Sequence, residues 1–259
     1  QLNSVAYETG NEEIASGAED TGGKITDAEL MKGLNPESAG KKFLYAEERY
    51  NINVLMAGNT GLTKQVKNQD TDTYSYEATV GQNGTYCYQL RLANDSVTNS
   101  KDIIFYDSVE SFYRSADQTE EVRRSDWKGT LTGIDVSALK KAGILPVVYL
   151  SKQNGLNVAA HHDLGEQLNG EPIWIEYNKF VQQYGLEAAH AVVIDASRKT
   201  DKSDFVLGVK KSLSVTLYMK APDSDRTGKE DPMAFNNVFV ERTALKGSGE
   251  NEVQLYQFY

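Results

Sequence analysis

Lys64, Asp107 and Asn236 bring an amine, a carboxyl and a carboxamide to what would otherwise be the apolar faces of three strand-like segments. Successive side chains of a strand point to opposite faces, so in Leu62-Thr63-Lys64-Gln65-Val66 the lysine aligns with Leu62 and Val66. In Ile103-Ile104-Phe105-Tyr106-Asp107-Ser108-Val109 the aspartate aligns with Ile103, Phe105 and Val109. In Phe235-Asn236-Asn237-Val238-Phe239-Val240, Asn236 aligns with Val238 and Val240. Burying a lone ammonium or carboxylate costs several kcal/mol. Three such groups share a core only if they pair, or if they react and lose their charge.

The order of the motifs around these residues is informative. A Thr-Lys-x-Val strand (Leu62 to Val66) precedes a Tyr-x-Tyr-x-Leu-x-Leu-x-Asn strand (Tyr86 to Asn94), then an apolar run ending in Asp107. An Asn-containing strand, Phe235 to Val240, follows a loop punctuated by Pro and Gly. In this pattern the chain resembles the intramolecular isopeptide-forming domains of Gram-positive surface adhesins and pilins, in particular the collagen-adhesin A-type arrangement. The resemblance covers roughly Thr60 to Leu245.

That resemblance implies a reaction in which the Lys64 amine attacks the side-chain carbonyl of an asparagine, ammonia leaves, and Asp107 assists as a buried acid. The acceptor is Asn236 or Asn237. Asn237 shares a face with Phe239 and Glu241, and the glutamate suits a core badly, which favours Asn236; a bulge or one-residue shift would exchange the two. Some members of the family use Glu as the acid, which makes Glu110 the alternative to Asp107. Desolvation favours the neutral forms of amine and carboxyl, so a proton can reside on the acid while the amine keeps its lone pair. Fixing amine and amide in contact replaces a bimolecular encounter with an intramolecular one. The reaction turns over once, so the chain is not read as an enzyme.

The resemblance further implies an all-β fold, an antiparallel immunoglobulin-like β-sandwich with long insertions and minor helix. It implies an extracellular, cell-wall-anchored surface protein whose anchor lies outside this fragment, and whose partners are adjacent domains of the same protein. The alternative function is a ligand-binding adhesin domain that recognises a host protein or glycan through its inserted loops. A secreted glycan-active enzyme lacks an argued carboxylate pair.

Composition bears on the same choice. The chain has 37 acidic and 27 basic side chains and a formal charge of −10, which argues against a nucleic-acid partner, since phosphate binding needs clustered Lys and Arg. No apolar run approaches the roughly 20 residues of a membrane span, so no direct membrane contact is expected. Fifteen tyrosines among abundant Gly, Asn, Thr and Ser suit a β-rich extracellular protein. The one cysteine, Cys87, excludes an internal disulfide; its phase is opposite to Tyr86, Tyr88, Leu90 and Leu92, which places it on the less buried face as a small packing residue or, in the manner of neighbouring adhesin domains, a thioester partner. Gln1 and Tyr259 read as the ends of a piece cut from a longer protein.

The elements that must position the three groups follow from periodicity. Residues 1–48 read as an acidic lead-in, irregular over Gln1 to Gly23, with a short helix over Ala28 to Lys32, and residues 49–259 as the β domain. Strands are expected over Tyr50 to Met56, Leu62 to Val66, Tyr74 to Val80, Tyr86 to Ala93, Ile103 to Tyr106, Thr130 to Val136 and Leu145 to Leu150. More follow over Ala191 to Asp195, Ser212 to Met219, Asn237 to Arg242 and Val253 to Phe258, with a helix over Glu176 to Tyr184. Gly81-Gln82-Asn83-Gly84 is a hairpin signature between the Tyr74 and Tyr86 strands.

Other constellations point less far. His161-His162-Asp163 would need a turn and a further ligand to hold a metal. Asp70-Thr71-Asp72, Asp223-Ser224-Asp225 and Glu230-Asp231 are solvated turns or weak Ca²⁺ loops with no EF-hand spacing; no other cofactor is expected. Trp127 and Trp174 with Tyr149 and Tyr177 suit core packing or a sugar platform.

Overall fold

The computed structural model describes residues 3–8, 43–48, 60–96, 98–114, 121–223, 228–245 and 253–258. The chain divides into two units, Gln1–Leu55 and Met56–Tyr259. In the first, β1 (Asn3–Glu8) pairs antiparallel with β2 (Phe43–Glu48), so part of the expected irregular lead-in is a strand. The helix expected at Ala28 to Lys32 and the strand expected at Tyr50 to Met56 lie outside the described residues.

The second unit is predominantly β. In chain order it contains β3 (Thr60–Asn68), β4 (Thr85–Asn94), β5 (Ser100–Asp107), β6 (Phe112–Arg114), β7 (Glu121–Arg124) and β8 (Thr130–Asp135). Helix α1 (Ser137–Lys141), β9 (Val147–Ser151), β10 (Gln167–Leu168), β11 (Glu171–Pro172) and β12 (Ile175–Glu176) follow. The chain continues through α2 (Tyr177–Tyr184), β13 (Ala191–Asp195), β14 (Ser212–Lys220), β15 (Val238–Ala244) and β16 (Val253–Phe258). A four-stranded antiparallel sheet has the order β3-β4-β14-β8, and a six-stranded one the order β12-β9-β13-β5-β15-β16.

Two kinds of strand sequence explain where the core sits. In Ser212–Lys220, Leu213, Val215, Leu217 and Met219 are buried while Ser214 and Thr216 are half-buried and Tyr218 is exposed, the alternation of a sheet with one face in the core. In Ala191–Asp195 the first four residues are buried without alternation, because both faces of the six-stranded sheet are covered. One face contributes Ile103, Phe105, Leu150, Val192, Ile194, Val238 and Val240 to a cluster that also holds Leu62, Leu90, Leu92, Leu131 and Val215 of the four-stranded sheet. The other face, through Tyr106, Ala191, Val193 and Phe239, packs beneath Leu156, Val158, Ile173 and Trp174. Helix α2 buries Phe180 against the first cluster, and Gly185 ends it at φ +78°, where a side chain would be strained.

Three readings are corrected. Tyr74 to Val80 is not a strand: only Ser75 bridges, to Val66, because residues 75–79 are exposed and have no apolar face to bury. Consequently Gly81 to Gly84 is a turn, closed by the Gly84 N–H on the Gly81 carbonyl, but not the loop of a hairpin with that segment. Cys87 does lie on the face opposite Leu90, yet it is buried, because that face is covered: Tyr218 is its cross-strand neighbour and the Tyr74 hydroxyl lies 3.5 Å from its Sγ. The excursion between Asp107 and Ala191 supplies β8 to one sheet and β9 and β12 to the other.

β5 lies between β13 and β15, and Phe105 on it is fully buried. Phe105→Ala is expected to lower the unfolding free energy by about 3–5 kcal/mol, read from urea denaturation, while the β-type circular dichroism spectrum persists.

Candidate functional site

Lys64, Asp107 and Asn236 meet. Lys64 reaches the core from β3, an edge strand paired with β4, on the face that also buries Leu62. Asp107 is the last residue of β5, with Val192 and Val238 as its cross-strand neighbours. Its Oδ1 accepts the Val109 N–H at 3.0 Å, the side-chain-to-backbone bond that turns the chain and fixes the carboxyl direction. Asn236 precedes β15, in phase with Val238 and Val240. The bulge that the sequence left open falls between Glu241 and Thr243, beyond the site, so Asn236 keeps the phase of the core face.

The contacts form a chain through one carboxyl group. Lys64 Nζ donates to Asp107 Oδ2 at 2.5 Å, and Asn236 Nδ2 donates to Asp107 Oδ1 at 2.8 Å. Lys64 is 7% exposed and Asp107 0%. The remaining polar atom, Asn236 Oδ1, is buried and has no hydrogen-bond partner among the described residues. Such an orphan costs about 1–3 kcal/mol, and it sits on the carbonyl that a nucleophile would attack. Asn237, the alternative acceptor, also precedes β15; two residues on, Phe239 packs against Tyr106 on the other face of the sheet.

The segment 125–129 holds this arrangement, and the sequence singled out only Trp127 within it, for packing or a sugar platform rather than for this support. Ser125 Oγ accepts the Phe235 N–H at 2.8 Å and donates to the Phe235 carbonyl at 3.0 Å, immediately before Asn236. Asp126 Oδ2 accepts the Met233 N–H, and Trp127 Nε1 donates to the Pro232 carbonyl at 3.1 Å. Lys229 pairs with Asp126 at the surface. The polar residues of a loop thereby do for Asn236 what a strand ladder does for Asp107.

Glu110 is a second fully buried carboxylate. Its Oε1 accepts the Tyr86 hydroxyl at 2.5 Å and the Tyr88 hydroxyl at 2.7 Å, and its Oε2 accepts the Gly129 N–H. A Cβ at Gly129 would collide with the Tyr86 hydroxyl and lie 3.0 Å from Glu110 Oε2, so glycine is required for the close approach. The Tyr88 ring lies under Lys64 Nζ, 4.4 Å from the ring centroid. The sequence placed Tyr86 and Tyr88 on the core face but gave no reason to connect them to the lysine.

Burial pushes the Lys64 amine below its ordinary 10.5, against the opposing pull of Asp107 and, more weakly, Glu110. Burial also pushes the Glu110 carboxyl up, opposed by the hydrogen bonds from Tyr86, Gly129 and Tyr88 and by the charge of Lys64. The Tyr86 and Tyr88 phenols are both pushed up, first by burial and then by the Glu110 charge. The phenols therefore stay protonated and serve as donors. An amine with lowered proton affinity, a carboxyl bonded to it and an amide on the same carboxyl are the components of an acyl substitution.

The other constellations lie elsewhere. His161 pairs with Glu166 at 2.8 Å and His162 lies 3.5 Å from Glu241. Among the described residues no three His, Cys, Asp or Glu side chains are grouped to hold a metal. Asp70 and Asp72 lie on an exposed turn, and residues 224 and 225 lie outside the described residues. The four aromatics do not form one platform: Trp174 is buried against Tyr106 in the outer cluster, with Tyr149 beside that cluster, whereas Trp127 and Tyr177 pack against the inner one. No helix among the described residues is long and apolar enough to cross a membrane. A scan against family models and a search of the curated proteins found no match.

The lowered Lys64 value gives a pH test on Asn236→Ala, in which the amine stays free. The folded state binds that proton less tightly than the unfolded state, so between the lowered folded value and 10.5 the unfolded state holds more protons. Stability attributable to Lys64 is therefore lowest below this window and rises with pH across it. The difference in thermal unfolding between Asn236→Ala and Asn236→Ala/Lys64→Met should shift in favour of Asn236→Ala from neutral pH toward 10.5, giving a pH-dependent gap. A gap independent of pH would contradict the assignment.

Proposed function

We propose that the second unit is a structural module of a cell-surface protein, stabilised by a self-made isopeptide bond between Lys64 and Asn236. The observation that carries the reading is the bridging of a buried amine and a half-buried amide by the two oxygens of Asp107, with the buried amide oxygen left orphaned. Two antiparallel sheets that contribute to one core support the finer reading of the fold as an immunoglobulin-like β-sandwich.

The reaction balances within the three residues. Lys64 hands a proton to Asp107 and becomes a neutral amine. Rotation of the Asn236 carboxamide exchanges its nitrogen and oxygen, so that the protonated carboxyl donates to the oxygen that is otherwise unpartnered, polarising Cγ. The bond from Lys64 Nζ to Asn236 Cγ forms, a second amine proton passes to Nδ2 through Asp107, and the Cγ–Nδ2 bond breaks as ammonia leaves. Asp107 retains the first proton. Two charges are removed from the core, and the cost of burying them goes with them.

The link closes a loop from residue 64 to residue 236, about 170 residues, worth on the order of 4–5 kcal/mol by the chain-entropy argument used for disulfides. An amide resists thiols, which suits a chain whose single cysteine makes no internal disulfide. The reading places the protein outside the cell, among further domains of a wall-attached adhesin or pilus.

Denatured intact mass decides the matter. The wild type should lie about 17 Da below its sequence mass, the ammonia lost in acyl substitution, with Lys64 and Asn236 recovered in one branched peptide. Asp107→Ala should fold, stay at full calculated mass and melt earlier, because the proton carrier is gone while both reacting groups remain. Lys64→Ala should likewise stay at full mass. A wild type at sequence mass with the two peptides separate would overturn the proposal, and a linked Asp107→Ala would transfer the acid role away from Asp107.

A further inference from the structure

Glu110 has no part in the balanced reaction, although it is a fully buried acid next to the reacting lysine. Among the described residues its donors are the two phenols and the Gly129 N–H, which occupy both carboxylate oxygens. Glu110 is thus met by donors other than the Asn236 amide. It also adopts φ +44°, a left-handed conformation that costs a non-glycine residue about 1 kcal/mol or more. A buried carboxyl in a strained backbone position is a double penalty that packing alone does not explain, since an apolar residue would fill the same volume without a polar group to satisfy.

What Glu110 does hold is the ring beneath the amine. The Tyr88 hydroxyl is pinned at 2.7 Å, the Tyr86 ring stands edge-on to the Tyr88 ring at 5.7 Å, and Trp127 stands edge-on to Tyr86 at 6.0 Å. The ring face of Tyr88 then meets Lys64 Nζ, while Asp107 meets the same nitrogen at 2.5 Å. Four single bonds of a lysine side chain are left with little freedom. Resting on the cross-link reading above, we propose that Glu110 is a positioning residue: by anchoring the Tyr88 hydroxyl it sets the ring that holds the Lys64 amine against Asp107 and Asn236.

The anchoring makes a distinctive order of rates. A misplacement of about 1 Å costs as much as 100-fold in an intramolecular reaction, so Glu110→Ala should slow the loss of ammonia by roughly 10- to 100-fold after refolding. Glu110→Gln keeps an acceptor for the phenols and should recover most of the rate. Tyr88→Phe keeps the ring, loses only the anchor and should slow the reaction about 10-fold, while Tyr88→Leu, lacking the ring, should be slower still.

Mass against time, with circular dichroism to establish folding, reads all four variants. Folded Glu110→Ala and Tyr88→Phe proteins that link at the wild-type rate would overturn the proposal, as would a Glu110→Gln variant no faster than Glu110→Ala. Should Glu110→Ala fail to fold, Tyr88→Phe carries the test alone. A wild type that never loses ammonia would sink the underlying reading instead. The anchoring is then read from the Lys64 methylene protons, whose upfield ring-current shift should persist in wild type, weaken in Tyr88→Phe as the unanchored ring moves, and vanish in Tyr88→Leu; a shift unchanged in Tyr88→Phe would overturn it.

Discussion

The second unit is organised around one electrostatic problem: an ammonium group placed where water is excluded. Lys64 meets a carboxylate on one side and an aromatic face on the other. At short range in a poorly screened interior the attraction is large, but it must repay the desolvation of both ions, each of which costs several kcal/mol. That balance explains why the amine gives up its proton more readily than an exposed lysine. A buried ion pair is therefore weak ground for stability here, and better ground for reactivity, because proton transfer within the pair removes both charges at once.

Keeping such a pair together demands rigidity from elements that are distant in sequence. β5 is hydrogen-bonded on both sides and offers Asp107 a fixed base, and the Val109 N–H fixes the carboxyl itself. β3, by contrast, is an edge strand whose other side is bridged by Ser75 alone among the described residues. The amine thus arrives from the less restrained element. This asymmetry gives the Tyr88 ring and its Glu110 anchor their role: a side chain with four rotatable bonds, on an edge strand, receives a separate support.

Much of this was legible in the sequence, and the reasons for success and failure are physical. β14 announced itself by period-two alternation, and β4, β5, β9, β13 and β15 by apolar or tyrosine-rich runs that the core buries, whereas the strands of two to four residues, β6, β7, β10, β11 and β12, went unread because so short a segment carries no period. The same alternation put Lys64, Asp107 and Asn236 on the core side, since a phase persists through a strand until a bulge intervenes, and the bulge in β15 lies downstream. Tyr74 to Val80 misled because it alternates without a partner sheet to bury against. Cys87 misled because opposite to the core was equated with exposed, whereas Tyr74 folds back over it. The support from Ser125 to Gly129 was invisible: it rests on side-chain hydrogen bonds to the backbone of residues about 110 positions away, which leave no periodic trace in either segment. Glu110 was noticed as an acid, but its partners were not, because pairing between a turn residue and phenols on another strand is set by the stacking of sheets.

The placement of the proposed bond in the fold has a mechanical consequence beyond loop closure. Lys64 belongs to the four-stranded sheet, and Asn236 leads into β15 of the six-stranded one, so the bond would join the two sheets through the core they share. Sheets held only by apolar contact can slide or peel, because the hydrophobic effect is not directional. A covalent tie at one point removes the separation of the layers as an independent motion and leaves each sheet to fail within itself, where ladder hydrogen bonds resist together. Tension entering before residue 64 and leaving after residue 236 would then run through one amide and bypass the strands between, whose packing would be spared the load.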